Sequence, residues 1–143
     1  MLKLADYYIF ELSLFRTSME QHGYKTPCHQ HFIRVADRKG EHLLSLGKQV
    51  YLEAFGSTTT FVNIDGKRIT ICRNLGYYEE QLPPCFVRVN KRYIISFHYL
   101  QLIRPNNTLK LRIPDCPTIT LNATYRTQFN IALDEWNTLS VGG

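Results

Sequence analysis

The chain has 143 residues, seventeen Lys and Arg against twelve Asp and Glu for a net charge of +5, and 44% hydrophobic side chains. That balance excludes a disordered chain, and the length suffices for one domain with its own core, without disulfides or a structural metal. No run approaches the roughly 18–20 consecutive apolar residues of a membrane span, and Asp6 and Glu11 interrupt the apolar start that would otherwise pass for a signal peptide. A cytoplasmic protein is expected, with Cys28, Cys72, Cys85 and Cys116 as reduced thiols. The basic pI is compatible with an anionic partner without requiring one.

Residues 3–20 place Leu4, Tyr8, Leu12, Phe15 and Met19 at helical spacing, which predicts an N-terminal helix. Gly23 and Pro27 in QHGYKTPCHQ mark a linker, so residues 1–29 read as a helical extension ahead of a domain over 30–136 and a tail over 137–143. From Phe32 the period changes to two. Ile33 and Val35 share a face, as do Val50, Leu52 and Ala54, then Ile69 and Ile71, then Leu109, Leu111 and Ile113. Turns are predicted at Arg38-Lys39-Gly40, Leu46-Gly47-Lys48, Pro105-Asn106-Asn107 and Pro114-Asp115. Asp65-Gly66 is the strongest of them, because a tight hairpin requires positive φ there.

Two helical stretches interrupt the strands. Asn74 caps a helix running through Tyr77 to Leu82, which Pro83-Pro84 stops. Near the end, Tyr125, Phe129, Leu133 and Trp136 form one apolar face of a helix capped by Asn122 or Thr124. The fold class is mainly β, an elongated antiparallel multi-sheet domain with one short internal helix and a helix at each end.

The sequence offers no phosphate loop, nucleophile elbow or H-E-x-x-H. Cys28-His29-Gln30-His31 groups ligand-type residues, but a structural zinc needs four ligands and the other cysteines lack C-x-x-C spacing. Glu53, in the apolar run YLEAF, reads as a side chain on an exposed face or an acceptor for loop amides. No enzyme, metal or cofactor is expected. Cations gather instead where strands turn: Lys67 and Arg68, Arg73, then Arg88, Lys91 and Arg92 around the break in FVRVNKRYIISF, and Arg126. The hydroxyl tract Ser57, Thr58, Thr59, Thr60 also lies between strands, where hydroxyls and amides bond phosphates or base edges. Lys and Arg also guard sheet edges, and Thr is a good strand former.

The order of these elements resembles the LytTR-type DNA-binding domain of bacterial transcription regulators over about residues 30–133. The family's central signature, of the form F-x-R-V-H-R-S-Y-I-V-N, matches Phe86-Val87-Arg88-Val89-Asn90-Lys91-Arg92-Tyr93-Ile94-Ile95-Ser96. Tyr51-Leu52-Glu53-Ala54-Phe55-Gly56 is similar to its Y-I-E-A-x-G stretch, and Ile119-Thr120-Leu121-Asn122-Ala123-Thr124-Tyr125-Arg126 to its I-P-V-S-R-S-Y-R. Asp65-Gly66 and Asn74-Leu75…Glu79…Leu82 fall at its hairpin and its short helix. The resemblance implies loops, rather than a helix, inserted into duplex DNA. Ser57, Thr58, Thr59 and Thr60, then Asn90, Lys91 and Arg92, then Asn122, Thr124 and Arg126 would form three such loops. Lys91, Arg92 and Arg126 would neutralise phosphates, and Thr58, Thr59 and Asn122 would touch base edges.

Three positions depart from the pattern. Asn90 replaces the signature His, Ser96 its closing Asn, and Ala123 the Arg that reads a base in the last loop. A bidentate Arg–guanine pair contributes about 1–3 kcal/mol of discrimination, so Ala123 implies a different or weaker site preference, which Arg126 offsets only if the loop register slips. The first 29 residues leave no room for a receiver or membrane domain, so a stand-alone regulator or a domain excised from a longer protein is expected, with the N-terminal helix pairing two chains or packing on its own sheet. The resulting expectation is a sequence-specific double-stranded DNA-binding transcription regulator. The alternative is a protein–protein interaction module on the same fold that has lost DNA binding. Single-stranded binding would require exposed Tyr93 or Tyr99 as stacking platforms.

Overall fold

The computed structural model describes residues 31–142. Among the described residues, ten strands form three antiparallel sheets. Strands β1 (Phe32–Asp37) and β2 (Gly40–Ser45) pair as a hairpin. The central sheet has the order β5-β4-β3-β7-β6, from β3 (Gln49–Phe55), β4 (Thr58–Asn63), β5 (Arg68–Ile71), β6 (Phe86–Arg88) and β7 (Tyr93–Ser96). The third sheet, β10-β9-β8, is built from β8 (Leu100–Ile103), β9 (Thr108–Leu111) and β10 (Ile119–Thr120). Helix α1 (Leu75–Glu79) joins β5 to β6, and α2 (Ala123–Gly142) closes the chain.

Both faces of the central sheet are buried. Leu52, Phe61 and Ile94 pack on one side with Ile33 and Val35 from β1 and Leu75 and Tyr78 from α1. Tyr51, Val62, Val87 and Ile95 pack on the other with Leu109, Leu111, Ile119 and Phe129. Each such large apolar side chain contributes about 1.5–3 kcal/mol on full burial, so two clusters sharing one sheet explain how its strand ends are held.

The predicted turns form where Gly, Asn and Asp permit them. Gly66 sits at φ +85°, and the Asn63 carboxamide oxygen accepts from the amides of Asp65 (2.9 Å) and Lys67 (3.0 Å) to close the β4–β5 hairpin. Asn107 and Asp115 occupy positive φ at the turns that follow Pro105 and Pro114. Val50 and Leu52, however, do not share a face: Val50 joins Tyr51 in one cluster while Leu52 joins the other. A bulge between Gln49 and Tyr51 inserts one residue and breaks the alternation.

Asn74 caps α1, accepting from the Tyr77 amide at 2.8 Å, but the helix ends at Glu79 rather than reaching Leu82. Gln81 and Leu82 turn back onto the Tyr78 carbonyl, ahead of the two prolines. Helix α2 continues past Trp136 to Gly142, where a tail was expected. Cys72 and Cys116 are free thiols as expected, whereas the buried Cys85 is disulfide-bonded, correcting the expectation of four thiols. The helix expected over 3–20, the pairing of chains through it, and Cys28-His29-Gln30 lie outside the described residues. No helix among the described residues is long and apolar enough to cross a membrane.

Candidate nucleic-acid interface

Antiparallel pairing brings three loops, far apart in sequence, to one end of the central sheet. Glu53 of β3 stands opposite both Thr60 of β4 and Tyr93 of β7. The β3–β4 turn and the β6–β7 loop therefore emerge side by side, joined by the Ala54 amide donating to the Arg92 carbonyl at 2.7 Å. The loop before α2 is attached next, its Asn122 amide donating to the Val89 carbonyl at 2.9 Å. Two further segments extend this row. The Thr59 hydroxyl donates to the Arg73 carbonyl (2.8 Å), and the Leu121 amide to the carbonyl of Asn107 in the β8–β9 hairpin (2.7 Å).

The β6–β7 loop is tightly held. The Asn90 side-chain oxygen accepts from the amides of Arg92 (2.7 Å) and Tyr93 (2.9 Å), and its NH2 donates to the Thr120 carbonyl (2.7 Å). Asn90 thus folds its own loop and ties it to β10. Arg88 supports the same loop from below, donating to the carbonyls of Asn90 (3.0 Å) and Lys91 (2.8 Å) and pairing with Glu79 at 2.8 Å. With both its donors and its charge engaged, Arg88 is a scaffold. Lys91, at the apex, is exposed and its ammonium has no hydrogen-bond or ion-pair partner among the described residues.

Arg92 is held differently. Its Nε and Nη2 both reach Glu53 Oε2, at 2.9 and 2.6 Å, and Tyr93 donates its hydroxyl to the same oxygen at 3.3 Å. Arg68 approaches Glu53 Oε1 at 4.0 Å. The hydrogen bond to Glu53 raises the Arg92 pKa above its already high ordinary value. Glu53 is therefore neither a free surface carboxylate nor an acceptor for loop amides, as its setting in YLEAF suggested. Its side chain is 16% exposed and that of Arg92 57%, so the guanidinium is anchored on one edge and open on the other. A fork fixed in this way presents its remaining donors in a defined direction.

Of the predicted contact residues, Thr59 is 0% exposed and its hydroxyl is committed to Arg73. It offers a ligand nothing and belongs to the scaffold. The Thr60 hydroxyl bonds that of Thr70 (2.8 Å) across β4 and β5, and the Thr58 hydroxyl donates to the Phe55 carbonyl (2.7 Å). Ser57 is exposed at the turn. Asn122, not Thr124, caps α2: its side-chain oxygen accepts the Thr124 amide at 2.9 Å. Thr124 and Arg126 are exposed in the first turn of α2 beside it. Because Asn122 is bonded to Val89 on one side and accepts the Tyr125 amide at 2.9 Å on the other, the register is fixed, and Arg126 does not slide into the place of Ala123.

Arg73 stands outside the loop set predicted from the sequence. Arg73 lies 4.5 Å over the Tyr77 ring and reaches the row through the β4–β5 register. Only that register, which sequence spacing does not encode, reveals its place. Tyr93 is buried and Tyr99 donates its hydroxyl to Gly47, so neither is a stacking platform. The described residues hold no cluster of three or more metal-ligating side chains.

Fold and row together define a three-sheet β domain with cation-bearing loops bonded side by side at one end of its central sheet. The chain belongs to the LytTr DNA-binding domain family, whose model matches residues 39–134. Among solved structures it is similar to the LytTr DNA-binding domain of a Bacillus cereus protein described as a methyl-accepting/DNA response regulator. That likeness has a TM-score of 0.59 and 20% identity over 73% of this chain and 97% of the other. No curated protein matches the chain.

Proposed function

We propose that this chain is a sequence-specific double-stranded DNA-binding transcription regulator of the cytoplasm, contacting the duplex through the loops around residues 57–60, 90–92 and 122–126. The observation that carries the reading is Lys91, unpaired among the described residues, beside the anchored Arg92, on a loop that Asn90 and Arg88 hold rigid. A surface serving only stability has no use for a cation pair stiffened in this way, whereas phosphate recognition rewards it, since donors ordered in advance lose less entropy on binding. Ser57 then offers its hydroxyl to the backbone, Thr58 and Thr60 shape the same turn through their bonds to Phe55 and Thr70, and Asn122, Thr124 and Arg126 complete the face. The closing experiment for this reading is enrichment from a random duplex pool: a regulator recovers a repeated motif, and recovery of unselected sequence at low salt rejects it.

Glu53 adds a second expectation. It is the counterion that Arg92 carries before DNA arrives, so Glu53→Gln leaves one more uncompensated cation at the interface. Duplex affinity should rise by about threefold to tenfold, with a slope of log K on log salt steeper by up to about 0.9. Titrations at several salt concentrations measure both. Weaker binding by the variant would show instead that orientation of Arg92 outweighs its charge.

A further inference from the structure

Phe55 is 74% exposed, more than any other large apolar side chain among the described residues. It stands at the last position of β3, in the turn that opens the loop row. Its backbone is pinned there: Gly56 takes φ +59°, and the Thr58 hydroxyl bonds the Phe55 carbonyl at 2.7 Å. Strand alternation puts its ring on the same sheet face as Glu53, the residue that holds Arg92. Ala54, its chain neighbour, is bonded directly to the Arg92 carbonyl.

A ring held in water gives the fold nothing, and no other exposed large apolar side chain among the described residues shares its strand. The other exposed large apolar side chains among the described residues lie on different elements: Phe32 and Leu43 on the β1–β2 hairpin, Ile64 in the β4–β5 turn, Tyr77 on α1, Leu102 and Ile103 on β8, Ile131 on α2. Apart from them in the element order and next to the loop that carries Lys91 and Arg92, Phe55 suits a ligand that is anionic outside and apolar within reach. Duplex DNA has that character, because the thymine C5-methyl is an apolar group displayed in the major groove between two rows of phosphates.

We propose that Phe55 is a specificity-determining residue that packs against a thymine methyl while Lys91 and Arg92 hold neighbouring phosphates. The inference rests on the DNA-binding reading above. It assigns part of the site preference to a position that carries no hydrogen-bonding group, in a chain that has Ala123 where its resemblance places a base-reading Arg.

The test uses the full chain and two steps. Duplex pools are enriched in parallel by the wild type and by Phe55→Ala; both proteins and Phe55→Leu are then titrated against the wild-type motif, with each thymine replaced in turn by deoxyuridine. Phe55→Ala should lose preference at one thymine and bind the motif about tenfold more weakly. Its salt slope and thermal midpoint should stay unchanged, since the ring is exposed and uncharged. Uracil at that one position should cost the wild type a similar factor and Phe55→Ala nothing, with Phe55→Leu between them. An unchanged motif with Phe55→Ala, or an equal uracil penalty in all three proteins, overturns the proposal and leaves the DNA reading intact. Failure of the wild type to enrich any motif removes that reading, and this inference with it.

Discussion

Replacing Lys91 and Arg92 together with alanine should weaken duplex binding by about tenfold to a hundredfold near physiological salt and flatten the slope of log K on log salt by about 1 to 2. The two residues should not contribute alike. Lys91 is unpaired among the described residues, so Lys91→Ala removes one full phosphate contact, about 0.9 of slope. Arg92 must share its charge with Glu53, so Arg92→Ala removes less counterion release. It also leaves the Glu53 carboxylate facing the phosphates without its partner. The single Arg92 variant should therefore lose more affinity than its change of slope accounts for, and Glu53→Gln added to it should restore part of the loss. Salt titrations of the wild type and the four variants separate these contributions, since contacting residues are not additive. Equal slopes for wild type and double variant would remove the β6–β7 loop from the interface.

How much of this was legible in the sequence depends on whether a feature is local. Asp65-Gly66, Asn74 and the stripe of Tyr125, Phe129, Leu133 and Trp136 act within a few residues of themselves, and the structure bears out the turn, the cap and the helix. The prolines at 83 and 84 indicated where α1 must end but not that it would stop at Glu79. Faces were misread where a bulge inserts Val50, because alternation presumes unbroken pairing. The site divides in the same way. Lys91 is exposed at a break in the alternation, as its neighbours suggested. Thr59 resembles its neighbours in sequence and yet is buried, because its β5 partner Ile71 belongs to the core and Arg73 takes its hydroxyl. The grip of Glu53 on Arg92 spans 39 residues, and nothing in either segment announces it. Asn90 could be placed in the loop by its position, but its bond to Thr120, 30 residues on, is a property of the assembled sheets.

Phe129→Ala should destabilise the protein by about 3–5 kcal/mol, the usual cost of a large aromatic removed from a packed core and a substantial share of a stability of about 5–15 kcal/mol. Phe129 is fully buried, packs on Phe97 at 5.7 Å between ring centroids, and shares a cluster with Val87 and Ile95 of the central sheet and Ile119 of β10. The void would therefore open between all three elements and not merely under a helix. A denaturant midpoint that falls with unchanged m would report this loss of one cooperative unit. Faster hydrogen exchange confined to α2, with the midpoint unmoved, would instead make the helix an appendage. That distinction matters for the interface, because Asn122 is both the cap of α2 and a neighbour of Val89. In the cooperative case, DNA affinity of the folded variant falls only as far as the Asn122 loop shifts. In the other, the bonds from Asn122 to Val89 and from Asn90 to Thr120 are enough to hold the loop row without the helix behind it.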